Sequence, residues 1–232
     1  INGLLAKKFL PAENIHAADP LAARLADLHN RYGIQPYTDN VSAIQGSDLV
    51  LFAVKPQKLD KVLLGLRNHI PEESLVLSII AGATIQTLSE GLNHDAIVRA
   101  MPNTPAQIGE GITVWTASPS VSPDQVELAR QVISALGQEV YMEEEYYLDM
   151  ATALSGTGPG YVFLFMEALI DAGVHMGFPR RIAEQLVTQT ILGSVSYYQK
   201  IGVHPAQLRN QVTSPGGTTA EALYYLDKAG FR

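Results

Sequence analysis

Four strongly apolar runs in the first half of this chain constrain its fold more than any other feature. They lie at residues 49–54, 75–80, 96–101 and 112–115. A strand that is buried on both faces shows such a run, whereas a half-exposed strand alternates apolar and polar residues. Helix-like patterns lie between several of the runs, notably at residues 59–69 and 125–136. Strands that alternate with helices predict a parallel sheet covered on both faces.

The pattern changes near residue 148, where the strand-like runs stop. Helix-like segments follow one another, separated by glycines, at residues 161–176, 180–200, 205–211 and 220–228. The sequence therefore predicts two domains. We expect an α/β domain over residues 1–145 and a helical domain over residues 146–232.

Composition limits the classes of function. The 232 residues suffice for two medium domains, and the net charge of −7 argues against general nucleic-acid binding. Cysteine is absent, so the chain has neither a disulfide nor a thiolate site, which fits the cytoplasm. No apolar run suggests a membrane span, and the histidines lack metal-site spacing. We therefore expect a cytoplasmic protein whose partner is a small molecule, with no metal, nucleic acid or membrane.

A glycine-rich segment near the end of the chain is a candidate anion site. Residues 213–219 are Thr-Ser-Pro-Gly-Gly-Thr-Thr, and a helix pattern begins directly after them. Glycines let the backbone approach a ligand closely, and the free amides of a helix start favour an anion. Thr218 and Thr219 add hydroxyls at the same place. The segment therefore predicts a pocket for a small carboxylate or phosphate; the alternative is a helix start capped by Ser or Thr.

Three turns follow the buried runs and form a second candidate site. Lys55 and Pro56 end the first run, Ala81 and Gly82 the second, and Asn103 lies between two prolines after the third. Open α/β sheets bind ligands at the carboxyl ends of their strands. The small side chains of the second turn would let a flat ligand approach. The alternative is that all three are ordinary turns.

Four motifs occur here in the order in which pyrroline-5-carboxylate reductases have them. They are Ala-Val-Lys-Pro at 53–56, Met-Pro-Asn-Thr-Pro at 101–105, Leu-Ser-Gly-Thr-Gly-Pro-Gly-Tyr at 154–161, and the segment 213–219. The chain resembles this family over essentially its whole length. The resemblance implies an enzyme that reduces 1-pyrroline-5-carboxylate to L-proline with NAD(P)H. It also implies a Rossmann-like, doubly wound parallel sheet followed by an all-α dimerisation domain.

The resemblance assigns roles to the residues at both candidate sites. It implies that Ala53, Val54, Lys55 and Pro56 contact the cofactor, with Lys55 near the ribose or phosphates. Ala81 and Gly82 would accommodate the nicotinamide half, and Asn103 would lie near its carboxamide or the substrate.

The resemblance assigns substrate binding to the glycine-rich segment. The resemblance implies that Ser214, Gly216, Gly217 and Thr218 surround the carboxylate, which the amides of the last three would bind. Thr219 would be the catalytic residue that orients the ring nitrogen. A threonine hydroxyl is too weakly acidic to be an efficient proton donor.

Two residues bear on the choice between NADH and NADPH. Asp19 follows a short strand pattern at residues 15–18, where a carboxylate accepts from the ribose 2′-hydroxyl and repels a 2′-phosphate. It therefore favours NADH, unless it only caps the next helix. Asn40 matches a family position that contacts the 2′-phosphate; its alternative is a cap for a helix at residues 41–45. The family favours NADPH, with NADH as the alternative.

The Gly-x-Gly-x-x-Gly turn that opens a dinucleotide fold does not occur in the chain. Ile1 onward resembles the family just after that turn, and the family continues beyond Arg232. We therefore expect a chain that is shortened at both ends.

Two other classes of function remain open. A β-hydroxyacid dehydrogenase shares the two-domain plan, but it needs a lysine that residues 147–176 do not contain. A non-catalytic nucleotide or proline sensor could keep the same fold. The resemblance further implies a homodimer or larger homo-oligomer, because family members interleave the helices of this domain. The segment 214–219 of one subunit would then face the cofactor domain of the other.

Overall fold

The computed structural model describes residues 1–231 and divides the chain into two compact units, Ile1–Tyr161 and a second that begins at Val162. The strands of the first unit are β1 (His16–Ala18), β2 (Gln35–Tyr37), β3 (Leu49–Phe52), β4 (Leu75–Ser78), β5 (Ile97–Met101), β6 (Gly111–Ala117) and β7 (Gly137–Tyr141). Its helices are α1 (Asn2–Ala6), α2 (Ala22–Tyr32), α3 (Asn40–Ala43), α4 (Leu59–Leu66), α5 (Ile85–Leu92), α6 (Pro123–Ser134) and α7 (Tyr147–Ala151).

The main sheet has the order β3-β4-β5-β6-β7, and β1 pairs with β2 in a separate parallel ribbon. The four apolar runs form β3 to β6, as the sequence predicts. The pairing of β5 with β6 is antiparallel, whereas the other pairs are parallel. The predicted parallel, doubly wound sheet is therefore confirmed, with one antiparallel pair that the sequence did not predict. Only residues 102–110 join β5 to β6, and a parallel connection needs a crossover of a dozen or more residues.

Helices cover both faces of the sheet, which explains the apolar runs. Val76 belongs to a core cluster with Leu63 of α4 and Leu88 of α5. Its neighbour Leu77 belongs to a second cluster with Ile133 of α6. Successive side chains of a strand point to opposite faces, so the apolar residues of β4 are buried alternately in the two cores.

The short helix α3 links the β1–β2 ribbon to the main sheet. The ring nitrogen Nδ1 of His16, on β1, lies 2.8 Å from the carbonyl oxygen of Ala43. The next residue, Ile44, packs in the core cluster that contains Val50 and Phe52 of β3. The ends of β1 and β2 are thereby held in a fixed relation to β3.

The first compact unit extends beyond the expected domain boundary near Glu145, because α7 packs on the sheet. Leu148 and Ala151 of α7 are buried. Arg99 of β5 is also buried, and its guanidinium donates to Glu145 at 2.9 Å and to Asp149 at 2.7 Å. These contacts hold residues 145–151 against β5.

The second unit is helical, as expected. Its helices are α8 (Gly158–His175), which begins in the first unit, α9 (Arg180–Ile201), α10 (Pro205–Gln211) and α11 (Thr218–Lys228). Helices α8 and α9 are joined by an ion pair between Asp171 and Arg180 at 2.8 Å. They also approach closely at Gly173, where an added Cβ would lie 3.0 Å from the Cβ of Ala183.

One helical stretch, Tyr147–His175, is long and apolar enough to cross a membrane by the criteria of length and composition. This differs from the expectation that no such run exists. Helices that are covered by other helices in globular proteins also meet these criteria.

Candidate functional site

Strands β3, β4 and β5 end side by side. Phe52 pairs with Ser78, and Ser78 pairs with Arg99, so the three turns that follow these strands lie along one side of the sheet. We call this side the carboxyl edge. The structure therefore brings together the three turns that the sequence singled out.

The turn after β3 is open to solvent. Ala53, Lys55 and Pro56 are exposed, and Val54 is half-buried. The carbonyl of Lys55 accepts a hydrogen bond from the amide of Lys58 at 2.8 Å, which closes a single helical turn at Pro56–Lys58. The ammonium group of Lys55 forms no ion pair with any residue in the range 1–231. The backbone of this turn is thus fixed, and its charge remains available to a ligand.

The turn after β4 leaves room at the carboxyl edge. Ala81 and Gly82 are exposed, and Gly82 has a φ of +75°, a conformation that favours glycine. A Cβ added at Gly82 would meet no atom within 4 Å. A flat ring can therefore lie against this turn.

The side chain of Asn103 has a structural role in the turn after β5. Its oxygen Oδ1 accepts a hydrogen bond from the amide of Ile112 at 3.0 Å, and the residue is half-buried. This bond fixes the side-chain amide and leaves Nδ2 as the donor that a ligand could use.

The glycine motif at residues 154–161 lies beside the end of β5. A Cβ added at Gly156 would be 3.5 Å from the sulfur of Met101, which places the two motifs in contact. Residues Thr152–Gly156 form a π-helical turn, a feature that is frequent at functional sites. The hydroxyls of Ser155 and Thr157 donate to the carbonyls of Ala151 and Thr152, and they stabilise this turn.

Asp19 lies where β1 ends. Its carboxylate oxygen Oδ1 accepts from the amide of Leu21 at 2.8 Å, and Oδ2 lies 3.4 Å from a guanidinium nitrogen of Arg24. The alternative that Asp19 caps α2 is wrong, because Leu21 occupies the cap position and no side chain accepts from the first amides of the helix; the bond to Leu21 closes a turn just before it. Arg24 is a further residue of this site that was not predicted from the sequence. Its signal is a basic residue in the first helical turn after a strand that ends in an acidic residue.

Asn40 begins α3, three residues after Tyr37, whose carbonyl at the end of β2 accepts from the amide of Asp19 at 3.3 Å. The cap of α3 is Asp39, whose Oδ2 accepts from the amide of Ser42 at 2.7 Å. This hydrogen bond lowers the pKa of the Asp39 carboxyl. The alternative that Asn40 caps this helix is therefore wrong. Its side chain makes no hydrogen bond within the described part of the chain.

The glycine-rich segment leads directly into α11. Gly217 occupies the cap position of this helix, and no side chain accepts from its first amides. The alternative of a Ser or Thr cap is therefore wrong. The amides of Thr218 and Thr219 have no helical partner, because the first helical bond runs from Glu221 to Gly217.

The turn before α11 requires glycine at residue 216 and brings the Ser214 side chain against residue 217. Gly216 has a φ of +69°, and a Cβ added at Gly217 would lie 2.5 Å from the hydroxyl oxygen of Ser214. The amide of Gly217 donates to the carbonyl of Ser214 at 3.0 Å. This amide is therefore used within the turn, and the amides at the start of α11 remain for an anion.

The described residues contain no cluster of three or more His, Cys, Asp or Glu side chains that could hold a metal ion. The geometry consists instead of an open carboxyl edge on an α/β sheet and an uncapped helix start in a helical unit. These features define the class of dinucleotide-binding oxidoreductases with a helical C-terminal domain. Residues 1–82 match the sequence model described as NADP oxidoreductase, coenzyme F420-dependent.

Residues 145–232 match the sequence model described as pyrroline-5-carboxylate reductase dimerisation. The chain is 43% identical to a pyrroline-5-carboxylate reductase of Synechocystis over 99% of its own length and 85% of that protein. The Plasmodium falciparum pyrroline carboxylate reductase with NADP bound superposes with a TM-score of 0.91 at 33% identity, covering 99% of this chain and 84% of that one. The Coxiella burnetii enzyme gives a TM-score of 0.87 at 34% identity, over 100% and 86%. The chain belongs to the pyrroline-5-carboxylate reductase family.

Proposed function

We propose that this protein is a cytoplasmic enzyme that reduces 1-pyrroline-5-carboxylate to L-proline, the last step of proline biosynthesis. The uncapped start of α11 in a chain of this family carries the proposal. A substrate with a single carboxylate suits two free backbone amides at a helix start.

A nicotinamide cofactor fits the carboxyl edge. Ala53, Ala81 and Gly82 present small, exposed groups there, and Lys55 adds a positive charge suited to a phosphate. The NADP-bound relative supports the same cofactor class. When bound, the cofactor supplies the hydride that reduces the imine carbon. Val54 and Pro56, in the turn after β3, are also proposed to contact the cofactor. Nδ2 of Asn103 is proposed to donate a hydrogen bond to the nicotinamide carboxamide or to the substrate.

We propose NADPH as the physiological cofactor, with NADH as the alternative. Asn40 supports NADPH, because it matches a family position that contacts the 2′-phosphate and its side-chain amide makes no hydrogen bond among residues 1–231. Asp19 alone favours NADH, because a carboxylate repels a 2′-phosphate. The ion pair between Asp19 and Arg24 reduces this repulsion.

The proposed role of the glycine-rich segment is to hold the substrate. The amides of Thr218 and Thr219 bind the carboxylate, with those of Gly216 and Gly217 lining the turn and the hydroxyl of Ser214 beside them. The hydroxyl of Thr219 accepts from the protonated ring nitrogen, which fixes the face of the imine that is reduced. The protein contributes mainly by positioning the reactants.

The helical unit is proposed to form at least a homodimer. Consecutive residues of α8 are exposed in the isolated chain, including Phe163 at 58% and Leu164 at 67%. A helix that is apolar on all sides must be covered on all sides. The match to a dimerisation domain supports a second copy of this chain as the cover.

A reductase assay tests the proposal. Purified protein is mixed with 1-pyrroline-5-carboxylate and NADPH, the loss of NADPH absorbance is followed, and L-proline is identified by chromatography. A matched reaction contains a 3-hydroxy acid with NADP⁺. Turnover of the hydroxy acid alone would indicate the β-hydroxyacid dehydrogenase class, and cofactor binding without turnover of either substrate would indicate a sensor.

A further inference from the structure

The ion pair between Asp19 and Arg24 combines two groups that make opposite demands on a bound adenosine ribose. Asp19 extends from the end of β1, and Arg24 lies in the first turn of α2. A carboxylate here accepts from a ribose 2′-hydroxyl, whereas a nearby arginine accommodates a 2′-phosphate. This chain has both groups within 3.4 Å of each other.

The two side chains are held very differently. The Asp19 side chain is 22% exposed, and the amide of Leu21 fixes its Oδ1. The Arg24 side chain is 67% exposed, and Asp19 is its only ion-pair partner among residues 1–231. The carboxylate is therefore fixed, and the guanidinium can turn away from it at little cost, because exposed ion pairs contribute little to stability.

We propose that Arg24 determines cofactor specificity by moving from Asp19 to the 2′-phosphate of NADPH. The guanidinium forms paired hydrogen bonds with phosphate oxygens and screens that phosphate from the carboxylate. Without a 2′-phosphate, Arg24 stays with Asp19. This inference rests on the proposed function for its cofactor and adds the residue that selects between NADPH and NADH.

Binding of adenosine fragments tests the proposal without the reaction. Isothermal titration calorimetry measures the affinity for 2′,5′-ADP, which carries the 2′-phosphate, and for 5′-AMP, which does not. Arg24→Gln should weaken 2′,5′-ADP binding by about tenfold or more, because a hydrogen bond to a charged group is lost. Its affinity for 5′-AMP should stay within about twofold of the wild type. Arg24→Lys keeps the charge but loses the paired geometry, so it should give an intermediate value.

Arg31→Gln is the matched control. Arg31 lies in the last turn of the same helix and pairs with Asp27 at 3.3 Å, with a similar exposure. It should bind both fragments as the wild type does.

Unchanged preference for 2′,5′-ADP in Arg24→Gln would overturn the proposal, as would a wild type that binds the two fragments equally. A protein with Arg24-dependent binding but no reductase activity would contradict the proposed function and leave this inference standing. An active reductase whose fragment binding ignores Arg24 would contradict this inference alone.

Discussion

Arg99 and Asp149 form a 2.7 Å ion pair although the Arg99 side chain is 1% exposed and that of Asp149 is 68% exposed. The second partner of Arg99, Glu145, is only 31% exposed, and its Oε1 also accepts from the amide of Ile85 at 2.8 Å. The buried guanidinium thus has one partner near the surface and one that is largely enclosed.

The two carboxylates should differ in their contribution to folding. Glu145→Ala removes an acceptor from Arg99 and from Ile85 together, so we expect a loss of about 1–3 kcal/mol of unfolding free energy. Asp149→Ala removes only the partner that lies near the surface and leaves Glu145 paired with Arg99, so it should cost less, about 1 kcal/mol. Urea denaturation of both variants measures the difference. Equal losses would show that the Glu145 contacts contribute no more than the contact of Asp149 with Arg99.

Thr219→Ala should reduce turnover. One lost hydrogen bond to a charged ring nitrogen corresponds to about 1–3 kcal/mol of transition-state stabilisation. Cofactor affinity should change little. Thr219→Ser is the matched variant, because it keeps the hydroxyl and should retain most of the activity. The measurement is kcat and kcat/KM of the two variants by steady-state kinetics. Wild-type values in Thr219→Ala would refute the proposed role of its hydroxyl in orienting the ring nitrogen.

Asp19→Ser should improve the use of NADPH relative to NADH. The substitution removes the negative charge that opposes a 2′-phosphate and keeps an oxygen that can accept from the amide of Leu21. The measurement is the ratio of kcat/KM values for the two cofactors. An unchanged ratio would mean that Asp19 only stabilises the turn before α2.

Leu164→Glu should disrupt the dimer, since it places a charge on the apolar surface of α8 that a second copy is proposed to cover. Leu64→Glu is the control, because Leu64 of α4 is 78% exposed and lies outside the helical unit. Light scattering at micromolar concentration should detect dissociation in the first variant and an unchanged mass in the second. A monomeric wild type would contradict the proposed assembly.

A shared active site predicts complementation between disabled chains. If the segment 214–219 of one copy serves the cofactor bound by the other, a hybrid of Thr219→Ala and Lys55→Ala chains has one site with both intact halves. Mixed and verified hybrids should therefore recover part of the activity that each parent lacks. No recovery would show that each copy forms its site from its own residues.

Strands β3 to β6 of the main sheet could be predicted from sequence because each contains an apolar run. Strand β7 was missed because it is largely exposed and has no such run. Strand β2 was missed because it has only three residues and contains Pro36, which weakens a strand pattern. The antiparallel placement of β6 depends on the length of a loop, not on the residues of the strand.

The candidate site was predictable in part for a similar reason. Turns at strand ends have sequence signals, so Lys55, Gly82 and Asn103 could be placed on one side of the sheet. Hydrogen-bond partners have weaker signals: Asp39 and Asn40 are both good caps, and only the backbone geometry decides between them. The contact of Arg24 with Asp19 depends on the angle at which α2 leaves the ribbon.

Because β6 runs antiparallel to β5, the chain has to return along the sheet before it reaches the glycine motif at residues 154–161. Strand β7 runs parallel to β6, so the chain leaves the sheet on the side opposite the carboxyl edge and must travel back. It returns along β5, with Glu145 beside Arg99 in the middle of the strand and Gly156 beside Met101 at its end. The number of residues on this return path determines how far the chain travels along β5, since each helical residue advances the chain by about 1.5 Å and turns it by about 100°. Its length therefore sets where the glycine motif meets β5, and even a single inserted residue would shift that register.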